Sequence, residues 1–479
     1  MRRIFNPGNL LIKNCKIFGK PGYKASDILI ENNIIKKILP SGKIGKLPAL
    51  KSINLKGNMI YPGFNDAHTH FMWLGLKMLR INLDASESVD DLYNIVSEAV
   101  KKYENGKPLI GEGYDESKWT NKTPISKKKL DELAPNNPLV LRRVCGHRGY
   151  ANTNALKKIP ADCMIVKRDT GELFEDVVLY IHRIFPPSED ELMLGLSKAI
   201  KLAEKEGVTS ITDVVNKGYF NIYQKYFQKY KPKLRVSLYF VAALMDEIIG
   251  TGMLTGFGNE YLKIRGIKVF TDGSIGAYTA AIYKNYIGKK TKGILIYNSK
   301  KLESLIEKVN NNNLQLMIHA IGDRAIQQVL DTFNKVGYSR KLRHRLEHIE
   351  LVSDKQLKKI KEMGLIASMQ PNFVGEWSGP GEMYDQRLPE YYYRQNNPIK
   401  KISKLKIPMA FGSDCMPFGP KYGIESAVKH PIPGSEINLN RAIEAYTTGS
   451  AFAEHEEKIK GKIKVGYLAD LVYNIKFNI

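Results

Sequence analysis

Two histidines separated by one residue follow a short apolar run near the start of the chain. Residues 63–70 read Gly-Phe-Asn-Asp-Ala-His-Thr-His, after the run at residues 59–62. Side chains two positions apart on a strand leave the same face, so His68 and His70 can grip one metal ion. Alone, this pair is better explained as two ordinary surface or core histidines, and the metal interpretation depends on the residues downstream.

Further groups with metal-binding or acid–base chemistry occur within or at the ends of later apolar runs. They are Lys268, His319, His348 and Asp414. Each has a structural explanation when taken singly: a lysine paired with an acid, two satisfied core histidines, and an aspartate that caps a turn. The question is whether the fold brings all of them together with the histidine pair.

Lys268 lies in the run Gly-Ile-Lys-Val-Phe, between apolar neighbours. Burying a lysine there is costly unless it is modified or paired. Burial and nearby cations favour the neutral amine, which can add carbon dioxide to become a carbamate. A carbamate carries two oxygens and can bridge two metal ions.

The elements that must position these groups alternate in type. Strand-like runs cover residues 207–213, 234–240, 264–270, 314–320, 344–350, 365–370 and 407–413. With the run that enters His68 they make eight, and helical patterns such as 189–206 and 351–363 separate most of them. This alternation predicts an α/β fold, a (β/α)8 TIM barrel. The polar groups would then meet at the carboxyl-terminal end of the barrel, where barrel active sites form, so coincidence explains them poorly.

Three regions of the chain have different predicted roles. Residues 62–440 form the predicted metal-dependent TIM-barrel hydrolase domain, and residues 72–175, too long for one barrel connection, form an inserted α/β subdomain near its mouth. Residues 1–61 and 441–479 are predicted to build one composite β-sandwich. A hairpin around Asn32-Asn33 and a strand near 469–473 support its two halves.

Composition restricts the partners of the protein. The 479 residues include 43% hydrophobic residues and have a net charge of +24, but the lysines are scattered and no nucleic-acid motif appears. No apolar run reaches the length of a membrane span. Four widely spaced cysteines indicate a reduced, cytoplasmic interior. We therefore expect a small-molecule substrate, no nucleic-acid or membrane partner, and a homodimer as an assembly to test.

These residues, in this order, resemble the amidohydrolase superfamily. Its "family 3" branch, the N-substituted formamide deformylase-like enzymes, has similar motifs over nearly the whole chain. They are GFNDAHTH (63–70), GYDESKWTNKTPISKKKLDEL (113–133), RVCGHRGYANTNAL (143–156), GIKVFTDGSIGAYTA (266–280), IHAIGDRAI (318–326), HRLEHIE (344–350), FGSDCMPFGP (411–420) and GKIKVGYLADLV (461–472).

The resemblance implies a binuclear metal centre, usually of zinc. The implied ligands are His68, His70 and Asp414 on one ion and His319 and His348 on the other, with carboxylated Lys268 bridging both. A hydroxide between the two metals would attack a non-peptide carbon–nitrogen bond in an amide, an N-substituted formamide or a similar group. Asp414 would take the proton and pass it to the leaving nitrogen.

Two residues of the insertion are substrate-binding candidates. The family position of His147 implies a pocket residue that touches substrate, and the alternative is an ordinary loop histidine. The motif normally has a small residue after Gly-His, whereas Arg148 follows here. Trp119 could line the same cavity or anchor the core of the insertion.

Two other functions compete with the binuclear hydrolase. The first is a mononuclear aminohydrolase, a deaminase, in which His348 acts on the water and Lys268 has no metal role. Its ligands would be His68, His70, His319 and Asp414. Such enzymes usually carry a glutamate shortly after the histidine of the fifth strand, where this chain has Asp323. The second is an inactive amidohydrolase-like scaffold, and metal analysis separates all three.

Overall fold

The structure, a computed structural model, consists of two compact units. It describes residues 1–19, 22, 24–44, 50–116, 119, 123–144, 148–160, 166–174, 176–179 and 181–479. The first unit comprises Met1–Phe71 and Ile200–Ile479, and the second comprises Met72–Ala199. The predicted insertion, residues 72–175, lies within the second unit.

Strands from both ends of the chain form a seven-stranded sheet in the first unit. They are β1 (Arg2–Ile4), β2 (Leu10–Ile17), β3 (Ala25–Glu31), β4 (Ile34–Pro40), β5 (Ser52–Asn54), β6 (Met59–Pro62) and the last strand of the chain, β21 (Leu471–Tyr473). The sheet order is β1-β21-β6-β2-β3-β4, with β5 beside β2. The C-terminal strand therefore lies between two N-terminal strands and runs antiparallel to both.

A two-residue turn connects β3 to β4, as the sequence predicts. Asn32 and Asn33 have positive φ angles of 50° and 65°. Asparagine tolerates this backbone region, which matches the twist of the flanking strands. In the C-terminal part of the chain, residues 441–453 are helical, and Leu471–Tyr473 supplies the strand.

Eight parallel strands form the second sheet of the first unit. They are β7 (Phe64–Thr69), β14 (Val208–Val215), β15 (Arg235–Val241), β16 (Leu262–Phe270), β17 (Gln315–Ala320), β18 (Arg345–His348), β19 (Ile366–Met369) and β20 (Met409–Phe411). They neighbour one another in chain order from β7 to β20. The backbone N–H of Asp414, just after β20, donates to the carbonyl of His68 in β7 at 2.8 Å. This bond links the two edges, and the sheet is the predicted TIM barrel.

The second unit has a six-stranded sheet of its own, in the order β12-β13-β11-β10-β9-β8. Its strands are β8 (Ile81–Asn82), β9 (Leu109–Tyr114), β10 (Leu139–Arg143), β11 (Arg148–Ala151), β12 (Val166–Lys167) and β13 (Glu172–Phe174). Its helices are α1 (Phe71–Lys77), α2 (Val89–Val100), α3 (Lys127–Leu133), α4 (Thr153–Leu156), α5 (Asp176–Leu179), α6 (Ile181–Ile184) and α7 (Glu189–Lys205). The chain passes between the two units at α1 and within α7.

Helices separate most of the barrel strands. They are α8 (Tyr219–Tyr230), α9 (Met245–Gly250), α10 (Ser299–Asn311), α11 (Asp323–Val336), α12 (Asp354–Met363), α13 (Pro371–Trp377), α14 (Met383–Arg387), α15 (Glu390–Tyr393), α16 (Ile399–Lys404), α17 (Pro420–Val428), α18 (Leu439–Glu444) and α19 (Ser450–Ala453). Local sequence sets their ends: Ser353 and Gln356 form a capping box before α12, and Gly364 ends it in the left-handed region. Among the described residues, no helix combines the length and apolar character needed to cross a bilayer.

Candidate metal centre

The barrel brings the predicted ligands to its carboxyl-terminal end. His68 is the penultimate residue of β7, and His70 directly follows that strand. Each of the next three ligands lies among the last three residues of its strand: Lys268 in β16, His319 in β17 and His348 in β18. Asp414 comes shortly after β20. Because the strands are parallel, these side chains share one end of the barrel.

Short distances connect the six side chains. Nε2 of His68 lies 3.1 Å from Nζ of Lys268, and Oδ1 of Asp414 lies 3.7 Å from Nε2 of His68 and 3.4 Å from Nε2 of His70. The ring centroid of His348 is 5.0 Å from that of His68 and 4.5 Å from that of His319. His68, His348 and Asp414 each offer a ligand atom, all within 4.8 Å of one another.

A buried carboxylate orients His68. Nδ1 of His68 lies 2.6 Å from Oε2 of Glu347, and both side chains are fully buried. The Arg345 guanidinium in turn donates from Nε to Oε1 of Glu347 at 2.6 Å and from a terminal nitrogen to the carbonyl of Ala67 at 2.6 Å. With its Nδ1–H donated to Glu347, His68 presents the lone pair of Nε2 to the site, the usual arrangement behind a metal-binding histidine.

His319 is oriented by the loop that follows β16. Its Nε2 lies 3.0 Å from the carbonyl of Gly273, which can only accept, so Nε2 carries the proton and Nδ1 keeps its lone pair. Asp272 fixes this loop by accepting hydrogen bonds from the backbone N–H groups of Ile321 and Gly322 at 3.0 and 2.9 Å. The loop after β16 and the loop after β17 are thereby held together around His319.

Burial favours the neutral form of three imidazoles at this site. It lowers the pKa of His70 to about 3, with the charge of Lys268 acting in the same direction. Burial, followed by the charge of Lys268, also lowers the pKa of His68 well below its ordinary value. For His348, burial and then the neighbouring His319 lower the pKa strongly. Neutral imidazole is the form that binds metal, so protons would compete little with a metal ion for these three predicted ligands near pH 7.

Burial moves the pKa values of Lys268 and Asp414 toward neutrality. It lowers the pKa of Lys268, against the charges of Glu347 and Asp414. Burial also raises the pKa of Asp414, and the charge of Lys268 opposes that increase. The consequences are a lysine amine that is neutral more readily than usual and a carboxylate with greater basicity.

Nδ1 of His348 and Oδ1 of Asp414 are buried and have no hydrogen-bond partner within the described part of the chain. Such atoms are uncommon in folded proteins and call for a specific explanation, of which an ion is one. Imidazole nitrogen and carboxylate oxygen are the ligand types that zinc and related divalent ions bind. The residues present therefore fit a metal site.

Unusual backbone conformations occur at two of the ligands. His348 and Ile349 have φ angles of 70° and 38°, and Asp414 and Cys415 have φ angles of 51° and 61°. Non-glycine residues rarely adopt this region, and such strain concentrates at functional sites. Ser413 stabilises the second bend, since its backbone N–H and hydroxyl donate to Asp66 at 2.8 and 2.6 Å.

The two substrate-binding candidates belong to the second unit. His147 lies outside the described residues. Trp119 packs in the apolar core of its own unit, and its Nε1 donates to the carbonyl of Ser86 at 3.0 Å. The ring of Tyr114 lies 6.1 Å away. Trp119 therefore anchors the core of its own unit, the second of its two predicted roles. Contact of Trp119 or His147 with substrate stays a prediction.

Comparison with known proteins points to the same chemistry. A model of the amidohydrolase family matches residues 51–474. The amidohydrolase candidate YtcJ of Bacillus subtilis is 28% identical, and the match covers 94% of this chain and 90% of YtcJ. The N-substituted formamide deformylase of Arthrobacter pascens is 21% identical, with 89% and 85% covered.

A solved structure has a similar fold. An uncharacterised metal-dependent hydrolase from Pyrococcus furiosus superposes with a TM-score of 0.85 at 25% identity. The match covers 97% of this chain and 98% of that structure. The similarity therefore includes both units and both sheets of the first unit.

Proposed function

This chain belongs to the amidohydrolase family and is a metal-dependent hydrolase, and from that premise we propose that it hydrolyses a non-peptide carbon–nitrogen bond. The bond lies in an amide, an N-substituted formamide or a similar group. The observation that supports this most is that His68 and His70, both with lowered pKa values, flank Oδ1 of Asp414. The deformylase from Arthrobacter pascens acts on a bond of this class by its name.

We assign two divalent ions, of zinc by the family resemblance, to the barrel mouth. Their proposed ligands are His68, His70 and Asp414 for one ion, His319 and His348 for the other, and a carbamate on Lys268 for both. A lysine with a lowered pKa, in a fully buried strand position, is suited to form that carbamate. Glu347 holds His68 in the tautomer that binds metal.

Bound metal ions supply Lewis acidity, which lowers the pKa of water and polarises a carbonyl group. The protein contributes the proton transfers. The Asp414 carboxylate, made more basic by burial, accepts the proton of the attacking water. It then donates that proton to the leaving nitrogen, because an amine leaves poorly as an anion.

The alternative function, a mononuclear deaminase, would need an available acidic residue shortly after His319. Asp323, the acidic residue nearest after His319, is already engaged as an acceptor. Its Oδ2 accepts the hydroxyl of Tyr392 at 2.6 Å, and its Oδ1 accepts the N–H of Tyr283 at 3.1 Å. These bonds favour a structural role for Asp323, so we rank the deaminase below the amide hydrolase. The predicted cytoplasmic location and homodimer stay predictions.

A substrate panel with an Asp414→Asn variant tests this proposal. The panel consists of three amide classes (N-substituted formamides, N-acyl amino acids and cyclic amides) and of aminopurines and aminopyrimidines as deaminase substrates, all assayed with metal-loaded protein. We expect turnover of at least one amide class, and a loss of about 10²-fold or more in Asp414→Asn with metal at least partly retained. His455→Gln, whose imidazole bonds to the carbonyl of Leu342 instead, is the matched control. Full activity in Asp414→Asn, or turnover of aminopurines and aminopyrimidines alone, would contradict the proposal.

A further inference from the structure

A row of aromatic rings crosses the barrel mouth beside the ligands. It starts at Phe270, passes through His319 and His348, and ends at Phe373 and Trp377. Successive ring centroids lie 5.3, 4.5, 5.7 and 4.7 Å apart. The rings of His348 and Phe373 are nearly parallel, at 7°. The adjacent imidazoles of His319 and His348 thus lie between two phenyl rings, with Phe270 on one side and Phe373 on the other.

Phe270 is the exposed end of this aromatic row. It follows Lys268 by two positions in β16, so both side chains leave the same face of the strand. Its ring centroid lies 4.8 Å from Nζ of Lys268, yet 36% of the residue remains exposed. Phe270 therefore presents part of its ring to solvent directly beside the predicted ligands.

We propose that Phe270 determines substrate specificity by packing against an apolar, uncharged substituent next to the scissile bond. The proposal rests on the proposed function and narrows it to substrates such as N-alkyl or N-aryl amides. Phe270 pairs in register with His319. A group held against the Phe270 ring therefore lies beside the proposed ligands, where its carbonyl can react.

The chemistry of the row favours an uncharged group over a charged one. A carboxylate would lose hydration against the phenyl face without gaining a partner from the ring, and the divalent ions would draw it toward themselves and away from Phe270. A cation can be attracted to an aromatic face, but two divalent ions in the same mouth would repel it. Met416, also exposed and two residues after Asp414, adds a second apolar surface close in sequence to a ligand.

Matched formamides test this inference by kinetics. The substrates carry a methyl, an n-hexyl, a 5-aminopentyl or a 4-carboxybutyl group on nitrogen. We expect the hexyl compound to have the highest kcat/KM. In Phe270→Ala its KM should rise about tenfold with little change in kcat, while the methyl compound is hardly affected. Phe270→Leu should restore most of the loss, and Phe257→Ala, at an exposed phenylalanine before β16, should change nothing.

Calorimetric binding of N-hexylurea, an uncharged amide mimic, tests the contact without turnover. We expect its affinity for the metal-loaded protein to fall about tenfold in Phe270→Ala and to exceed that of N-(5-carboxypentyl)urea in the wild type. Equal binding to wild type and Phe270→Ala, or a preference for the charged compounds, would overturn the inference. If the mimic binds as expected but no carbon–nitrogen bond is cleaved, the proposed function fails while the apolar contact stands.

Discussion

Glu347 determines which ring nitrogen of His68 faces the barrel mouth. Glu347 accepts from His68 Nδ1 and is itself neutralised by Arg345, and all three side chains are fully buried. Carboxylates behind metal-binding histidines fix the tautomer and raise ligand basicity. Glu347 is therefore a positioning residue in this account, acting through His68.

Replacing Glu347 with glutamine should weaken metal binding about 10- to 100-fold, because the amide orients His68 poorly and adds no negative charge. Competitive titration with a chelating dye would measure this affinity. Glu454→Gln, a buried carboxylate elsewhere in the barrel, should leave it unchanged. Because Arg345 would lose its partner, the Arg345→Met/Glu347→Gln double variant separates metal affinity from stability. Unchanged affinity in the single variant would remove Glu347 from this role.

Glu347 lies in the motif HRLEHIE (344–350), but the sequence alone predicts no role for it. A signal was present: Arg345 and Glu347 are two apart in a strand and so share a face. Opposite charges on one face of a buried strand imply an ion pair inside the barrel. Which histidine that pair would contact depends on how β18 lies relative to β7 in three dimensions, and local sequence does not carry that information.

At the opposite ends of the strands, an ion cluster connects β16 to the segment after α19. Glu456 forms ion pairs with Lys263, with Lys460 at 2.7 Å and with Arg265 at 3.0 Å. Lys460 also bonds to Glu454 at 2.7 Å. Burial alone would raise the pKa of Glu456, but the charges of Lys460, Arg265 and Lys263 outweigh it and lower that pKa. The cluster ties the end of the chain to the barrel.

Glu456→Gln should lower the free energy of unfolding at pH 7 by about 3–5 kcal/mol, because it leaves buried cations without their partner. The folded-state pKa is below the unfolded value of 4.5. The stabilisation is therefore full above pH 4.5 and declines as the pH falls. Urea unfolding should show a smaller difference from wild type at pH 3.5 than at pH 7. Glu457→Gln, at a more exposed pair with Arg343, should cost under about 1 kcal/mol, and an equal cost in both variants would contradict this.

Most barrel elements could be predicted from periodicity and turn residues. The run at 314–320 became β17 at Gln315–Ala320, and the helical pattern at 189–206 became α7 at Glu189–Lys205. Short buried runs and capped amphipathic helices carry their signal locally. The helical conformation of residues 441–453 was not predicted from the sequence, which assigned them to the composite β-sandwich. Ala453 and Phe452 pack against Ala67, Ile366 and Ala410 of the barrel strands, and that tertiary setting, more than propensity, decides their conformation.

For the whole molecule, the fold explains how residues from distant parts of the chain reach one site. His68 and Asp414 are separated by more than three hundred residues, yet the Asp414 N–H bonds to the His68 carbonyl where the barrel closes. Closure of the barrel thus brings the first and last of the predicted ligands together. The number of metal ions bound per chain therefore measures directly whether the predicted ligand set is complete.

The most direct test of this account is the number of divalent ions bound per chain, measured by elemental analysis. We predict about two ions in the wild-type protein. Lys268→Ala, which cannot form the carbamate, should lose metal and activity, and short carboxylates should partly restore both. The His455→Gln control should keep both ions. A wild-type protein that binds no metal under saturating zinc, or a Lys268→Ala variant that keeps two ions and full activity, would contradict the account.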